Sequence, residues 1–399
     1  MTTTRSWAGV GRSINRDGAT AGREAAREAV GALEVRAPSI VIVFATAGLD
    51  QEALVRGVRE ATGGAPLVGC SVEGIVTRHG SEEVTHATTV AAIASDEMWF
   101  ETFSVPGFVD DPEGAARALS SMVAARGRED AALLALFPDG VGGDCRALLE
   151  TLEATLPASL RIVGGTAGDL LRFERTWQYE GDRVLHGGLS ALLIGGAVEP
   201  EVLVTHGCDL VGSQRVVTRA EGGWMERIDD QPAWSFFQEY LSDGKGTLEA
   251  MHVAHLLVAE KVGADELGID DFTVRVPVRL DASRGALYFQ AGLREGTRVQ
   301  LAIRNPEKVC ARAIAAAREI TTRRGAKPLL VLDLECAGRG ALLFGHETTE
   351  RLITPVQREF DDAVPWVGAH TYGEIAPVAG RTWFHNYTAV LCALYPRAR

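Results

Sequence analysis

PLVGCSVEGIV at 66–76, LRIVGGTAGDL at 160–170 and PWVGAHTYGEIAP at 365–377 are three versions of one phrase. Each has an aliphatic residue, Val-Gly, a polar Ser, Thr or His position, and then a second glycine. A compact apolar run precedes each copy, at 40–44, 132–137 and 329–334, and another follows it, at 90–94, 191–195 and 389–394. Short apolar runs between turn signals read as buried strands. One supersecondary unit is therefore used three times, and equivalent turns in equivalent units converge on a common face.

Between the runs the signals are helical. Asp17 caps an Ala/Glu/Arg segment reaching Leu33, and helices are predicted at 50–61, 144–155 and 306–323, the last opened by Asn305 and Pro306. A strand, a helix and a strand with so short a crossover pair in parallel. Hairpins are expected around Glu180–Asp182 and Glu221–Gly223, followed by a helix opened at Asp230–Pro232. An irregular stretch at 241–267 leads to strands at 272–280, 286–291 and 298–303. The fold class expected is α/β with mixed α+β character: two packed domains with mixed parallel and antiparallel sheets, built from three related β-α-β-β units. The division is placed at 225, giving domains 1–225 and 226–399, with the third unit forming the second core and facing the first two across a cleft.

Bulk properties narrow the function. The chain has 399 residues, 46% of them hydrophobic, enough for more than one core. A net charge of −13 and scattered arginines argue against a nucleic-acid partner or an anionic membrane surface. The opening residues lack the apolar stretch of a secretion signal, and no apolar run approaches the roughly 20 residues of a membrane helix. A cytoplasmic protein without membrane insertion is expected. Six cysteines stand far apart without a C-x-x-C pair, so no disulfide framework is expected.

In parallel α/β sheets ligands bind beyond the carboxyl ends of the strands, where glycine permits close backbone approach. Gly69, Cys70, Ser71, Gly164, Thr166, Gly368, His370 and Thr371 are therefore expected to line one cleft. Valine at Gly69, Gly164 or Gly368 is expected to destabilise the fold if these turns need positive φ. Carboxylates follow the second glycine in two copies, as Asp169 and Glu374; in the first copy Glu73 stands before Gly74 instead. An acid at a turn either accepts backbone hydrogen bonds or holds a ligand's ammonium group, and Asp169 fits both roles. Glu374 keeps richer company, with Tyr372 close by and His385 and Asn386 downstream. His252 and His255 lack a third ligand, so no metal site is expected. The glycines at 140–143 lack the Gly-Lys-Ser/Thr of a phosphate loop. Cys336, near Arg339, reads as a ligand-contacting or inert thiol.

The closing motifs, Cys336–Gly340, Val364–Gly368, Thr371–Pro377 and Phe384–Thr388, resemble the end of the C-terminal domain of the FIST family. Gly69–Ser71, Phe137–Gly140, Gly164–Asp169 and Ile228–Ala233 resemble its N-terminal domain and junction. The resemblance covers nearly the whole chain. It implies a sensory module that binds a small molecule, an amino acid or a derivative, and reports to a histidine kinase, a cyclase or a methyl-accepting protein. This chain departs from the pattern in lacking Glu after Gly74 and in having Tyr387 where H-N-Q-T has Gln.

The leading expectation is a non-enzymatic sensor whose pocket is built by the turns with Tyr372, Glu374, His385 and Asn386. A second reading, implied by some family members, is a haem-binding nitric-oxide sensor with an axial His, Cys or Tyr. A third is an enzyme using Cys336 or Cys70 as nucleophile, which requires His385 or His370 within reach of a sulfur.

Overall fold

The computed structural model describes residues 5–241, 257–261 and 272–397. His252, His255 and most of the irregular stretch fall outside the described residues.

The triplication holds, and it is longer than the quoted phrase. Opening strands Ile40–Thr46, Ala131–Pro138 and Leu330–Cys336 pair in parallel with the Val-Gly strands Leu67–Val72, Arg161–Gly165 and Trp366–Thr371. Closing strands Thr88–Ser95, Leu189–Gly196 and Ala389–Pro396 lie antiparallel on the other side of the opening strands. Beyond them run edge strands not anticipated from the sequence, Ser6–Ser13, Met98–Val105 and Val198–Thr205. Each edge strand leads, directly or through an insertion, to an alanine-rich helix, Gly18–Gly31, Pro112–Ala124 or Pro306–Arg324. Asp17, Asp111 and Asn305 cap these helices, each side chain accepting a hydrogen bond from a first-turn N–H.

Alternation along the opening strands builds the layers. Ile40, Ile42 and Phe44, then Leu133, Ala135 and Phe137, then Leu330, Leu332 and Leu334 all enter one shared core. The intervening residues face outward onto the helices of their own unit, as Val41 and Val43 do in the first. Both faces are buried, which is why these strands read as unbroken apolar runs. The third unit thus shares a core with the first two rather than facing them across a cleft.

The sixth and fifth strands of each sheet come from a different unit. The hairpin Gly74–Thr77 with Gly80–Glu82 leaves the first unit and pairs with the Val-Gly strand of the third. The hairpin Gln178–Glu180 with Arg183–Leu185 leaves the second for the first. Glu374–Val378 with Arg381–His385 leaves the third for the second. The exchange is cyclic and closes.

Glycine in the Val-Gly strands answers a close approach. A Cβ on Gly69, Gly164 or Gly368 would stand on the backbone carbonyl oxygen of Val43, Leu136 or Asp333 of the neighbouring opening strand. Positive φ is not the common cause: Gly69 alone has it, at 155°, whereas Gly164 and Gly368 are not in the positive region. Gly164→Ala is expected to cost about 1–3 kcal/mol in urea unfolding, with valine costing more. An alanine variant as stable as the parent would mean that the strands can part without penalty.

Between the edge strand Val198–Thr205 and the helix Pro306–Arg324 lies a separate eight-stranded sheet, formed by strands from Cys208–Glu221 through Arg298–Arg304. The hairpin expected at Glu221–Gly223 is present, with Trp224–Ile228 antiparallel to Cys208–Glu221, and the helix Ala233–Leu241 follows. The strand expected at 272–280 divides at Val276. Phe272–Arg275 pairs with Leu257–Lys261, whereas Pro277–Asp281 pairs with Ala286–Phe289.

Candidate functional site

The three turns meet in a ring of backbone hydrogen bonds. Glu73 N–H donates to the His370 carbonyl at 2.9 Å, Gly168 N–H to that of Ser71 at 2.9 Å, and Tyr372 N–H to that of Thr166 at 3.1 Å. Donors stand four residues after the Val-Gly glycine and acceptors two after it, in all three copies. Ser71, Thr166 and His370 are thus equivalent positions, and so are Glu73, Gly168 and Tyr372. The convergence expected of the turns is present, but Cys70, Ser71, Thr166, His370 and Thr371 are wholly buried around it.

Tyr372 and Asp169 organise the second turn. The Tyr372 hydroxyl donates to Asp169 Oδ1 at 2.5 Å and accepts from the N–H groups of Asp169 at 3.1 Å and Leu171 at 2.7 Å. Asp169 also accepts from the N–H groups of Phe173, Glu174 and Arg175 at 2.7–2.9 Å. That carboxylate therefore folds the loop 170–175 back on itself, the structural half of its two readings. The loop holds three side-chain-bearing residues in the left-handed region, Leu170 at 64°, Leu171 at 55° and Phe173 at 54°. Such residues persist only where surrounding contacts over-determine them, and they gather at ligand clamps and switches. Phe173 stacks on Tyr372 with ring centroids 4.7 Å apart.

Glu73 joins this cluster, a residue noted in the sequence only for being out of place. It is 9% exposed, accepts the Leu171 N–H at 2.9 Å, and has no cationic partner among the described residues. Burial pushes its carboxyl up to about 7, with Asp169 and Glu83 nearby opposing ionisation further, while hydrogen bonds from Leu171 and Tyr372 act the other way. The informative signal was positional: in the threefold register Glu73 occupies the place of Tyr372.

His370 lies on the next side of the ring. Its Nε2 is 2.8 Å from Ser81 Oγ and 3.6 Å from Glu83 Oε1, and its Nδ1 is buried without a partner among the described residues. Glu83 itself accepts the N–H of Ala341 with both oxygens, at 2.8 and 2.9 Å.

The remaining expected residues belong to other surroundings. Glu374 accepts from the hydroxyls of Thr371 at 2.9 Å and Thr388 at 2.8 Å, fully buried, and burial pushes its carboxyl up to about 8. Arg339 is fully buried with Nε 2.7 Å from Glu335 Oε2. Asn386 ties Tyr372 to the eight-stranded sheet, its Nδ2 donating to the Tyr372 carbonyl at 2.9 Å and its Oδ1 accepting from Val276 N–H at 3.1 Å. His385 faces Thr273 Oγ1 at 3.4 Å, and burial, with Arg275 beside it, lowers its pKa to about 3.

The cysteine reading finds little support in this geometry. Burial raises the thiols of Cys70 and Cys336, and neither His370 nor His385 hydrogen-bonds to either sulfur. Both imidazoles are packed inside protein, at 0% and 2% exposure, so neither offers an accessible face for a haem iron. Among the described residues no cluster of His, Cys, Asp and Glu could hold a metal ion.

Comparison with known proteins agrees with the motifs that the ring brings together. Residues 39–231 match the FIST N domain and residues 233–377 the FIST C domain. The chain belongs to the FIST family. FIST domains are known as sensory domains of signalling proteins. An uncharacterized protein of Mycobacterium tuberculosis is 27% identical over 386 residues, covering 96% of this FIST chain and 97% of its own length. An uncharacterized protein of Mycobacterium bovis is 27% identical over 393 residues, covering 96% and 97%. Among solved structures, a chorismatase aligns over 99% of both chains at 9% identity with a TM-score of 0.38. A cyanuric acid hydrolase from A. caulinodans aligns over 49% of this chain and 72% of its own at 12% identity, with a TM-score of 0.30. Likenesses this distant assign no activity to the FIST chain. No helix among the described residues is long and apolar enough to cross a membrane.

Proposed function

We propose that this FIST protein is a non-enzymatic sensor of a small molecule bearing an ammonium group, an amino acid or a derivative, bound where the three turns meet. The observation that carries this reading is Glu73: a desolvated carboxyl with no cation beside it, next to a stacked aromatic pair, under a loop held in unfavourable backbone geometry. An ammonium group would supply the missing counter-charge, and the rings of Tyr372 and Phe173 offer it cation–π attraction. Cost already stored in loop 170–175 makes that loop the element a ligand would rearrange. Its output would pass, in the cytoplasm, to a histidine kinase, a cyclase or a methyl-accepting receptor.

Thermal unfolding against a panel of amino acids and primary amines tests this. A ligand at a hundred times its Kd is expected to add about 2.7 kcal/mol to stability. Most of that gain should disappear in Glu73→Gln, with Glu174→Gln, on the exposed side of the loop, as the control. An amine that stabilises the parent and Glu73→Gln equally would place the site elsewhere.

A further inference from the structure

A concavity lies between the eight-stranded sheet and the second unit, well apart in character from the acidic ring. Its volume is about 420 Å³, and six cations line it: Arg146, Lys261, Arg275, Arg294, Arg298 and Arg381. Only two lining carboxylates, Glu150 and Glu260, oppose them. Four excess positive charges thus gather in one hollow of a chain whose net charge is −13. Such a field raises the local concentration of anions.

Internal pairing, counting Glu153 beside Arg381, still leaves three of those charges uncompensated. Glu260 is shared: both its oxygens accept from Arg146 Nη2, at 2.7 and 2.8 Å, and Oε2 also meets Arg275 Nη2 at 2.8 Å. Arg294 reaches Glu150 at 2.5 Å, and Arg381 reaches Glu153 at 3.9 Å. Lys261 and Arg298 are exposed and make no ion pair with the described residues. At the base, Arg275 is 1% exposed and its Nε has no hydrogen-bond partner among the described residues. Burial draws its pKa down to about 10, which leaves it cationic at neutral pH. One buried and one partly exposed guanidinium on a single carboxylate are an incompletely compensated arrangement, since desolvation is repaid only by full pairing.

We propose that this concavity binds a small multivalent anion through its phosphate or carboxylate groups. Guanidinium forks match both groups bidentately, and the exposed Lys261 and Arg298 would draw the anion in. Occupancy would also be felt by the exchanged hairpin of the third unit. Arg275 Nη1 donates to the Phe384 carbonyl and to Thr273 Oγ1, the hydroxyl facing His385.

Calorimetric titration of the full chain with inorganic pyrophosphate and with citrate, at constant ionic strength set by sodium chloride, tests the proposal. Saturable binding of either is expected, weakened about tenfold or more in the double variant Lys261→Gln, Arg298→Gln, both at exposed positions. Binding of pyrophosphate alone assigns phosphate chemistry, and binding of citrate alone assigns carboxylate chemistry. No saturable binding of either, or equal binding by the double variant, overturns the site. Glu73→Gln should bind the anion as the parent does, so failure of the ammonium reading leaves this result interpretable.

Discussion

Arg339→Met is expected to destabilise the protein by about 3–5 kcal/mol, because it leaves a carboxylate buried without its counter-charge. Glu335 is 1% exposed and Arg339 0%, with 2.7 Å between Oε2 and Nε. Burial alone would lower the pKa of Arg339, but the attraction of Glu335 outweighs it and the guanidinium is held above its ordinary value. The double variant Arg339→Met, Glu335→Gln should recover most of the loss, since it removes both charges rather than one. Urea unfolding of the four proteins in the cycle decides it. A single variant costing under about 1 kcal/mol would show that water reaches Glu335.

Glu374→Gln is expected to remove a large share of the pH dependence of stability. Burial is the main cause of the raised carboxyl, with hydrogen bonds from Thr388 and Thr371 opposing it and Glu335 reinforcing it. The folded protein therefore keeps a proton that the unfolded chain releases near its ordinary value of 4.5. Stability from this group is fully present below that value, falls as pH rises, and is lost once pH passes about 8. The whole change amounts to about 5 kcal/mol. Glutamine copies the protonated shape and keeps both threonine contacts, so its curve between pH 5 and 8 should lose the fall due to Glu374 and keep only the slope left by the other shifted groups, Glu73, Asp333 and His385. Urea midpoints across that range provide the measurement. Parallel curves for parent and variant would mean that Glu374 is already ionised in the folded protein.

The fold was largely legible where burial imposes a pattern on both faces of a strand. The opening runs at 40–44 and 132–137 and the Val-Gly phrases announced themselves, and their parallel pairing followed from crossover length. The edge strands did not. Ser6–Ser13 and Met98–Val105 are covered unevenly and carry glycine or charge among their apolar positions, so neither period dominates. Hairpin signals such as Glu180–Asp182 specify a local reversal and say nothing about which sheet receives the strands. At the candidate site, the convergence of the turns that carry Asp169 and Tyr372 followed from the repeat. The role of Glu73 did not, because its protonation depends on what covers it. Glu374 and His385, neighbours across one hairpin ladder, point into separate polar environments that no spacing rule distinguishes.

The cyclic loan of hairpins makes the three repeats a closed society. A chain cut between residues 231 and 233, where the two family segments meet, would strip the second unit of its borrowed strands. It would also leave the hairpin of the first unit with no sheet to join. What divides cleanly in sequence is therefore topologically one knot of mutual dependence, committed only after residues nearly 300 positions apart, Gly74 and His370, have found each other. Closure also sets the count. With every Val-Gly edge already spoken for, a fourth copy would find no vacancy, and duplication stops at three.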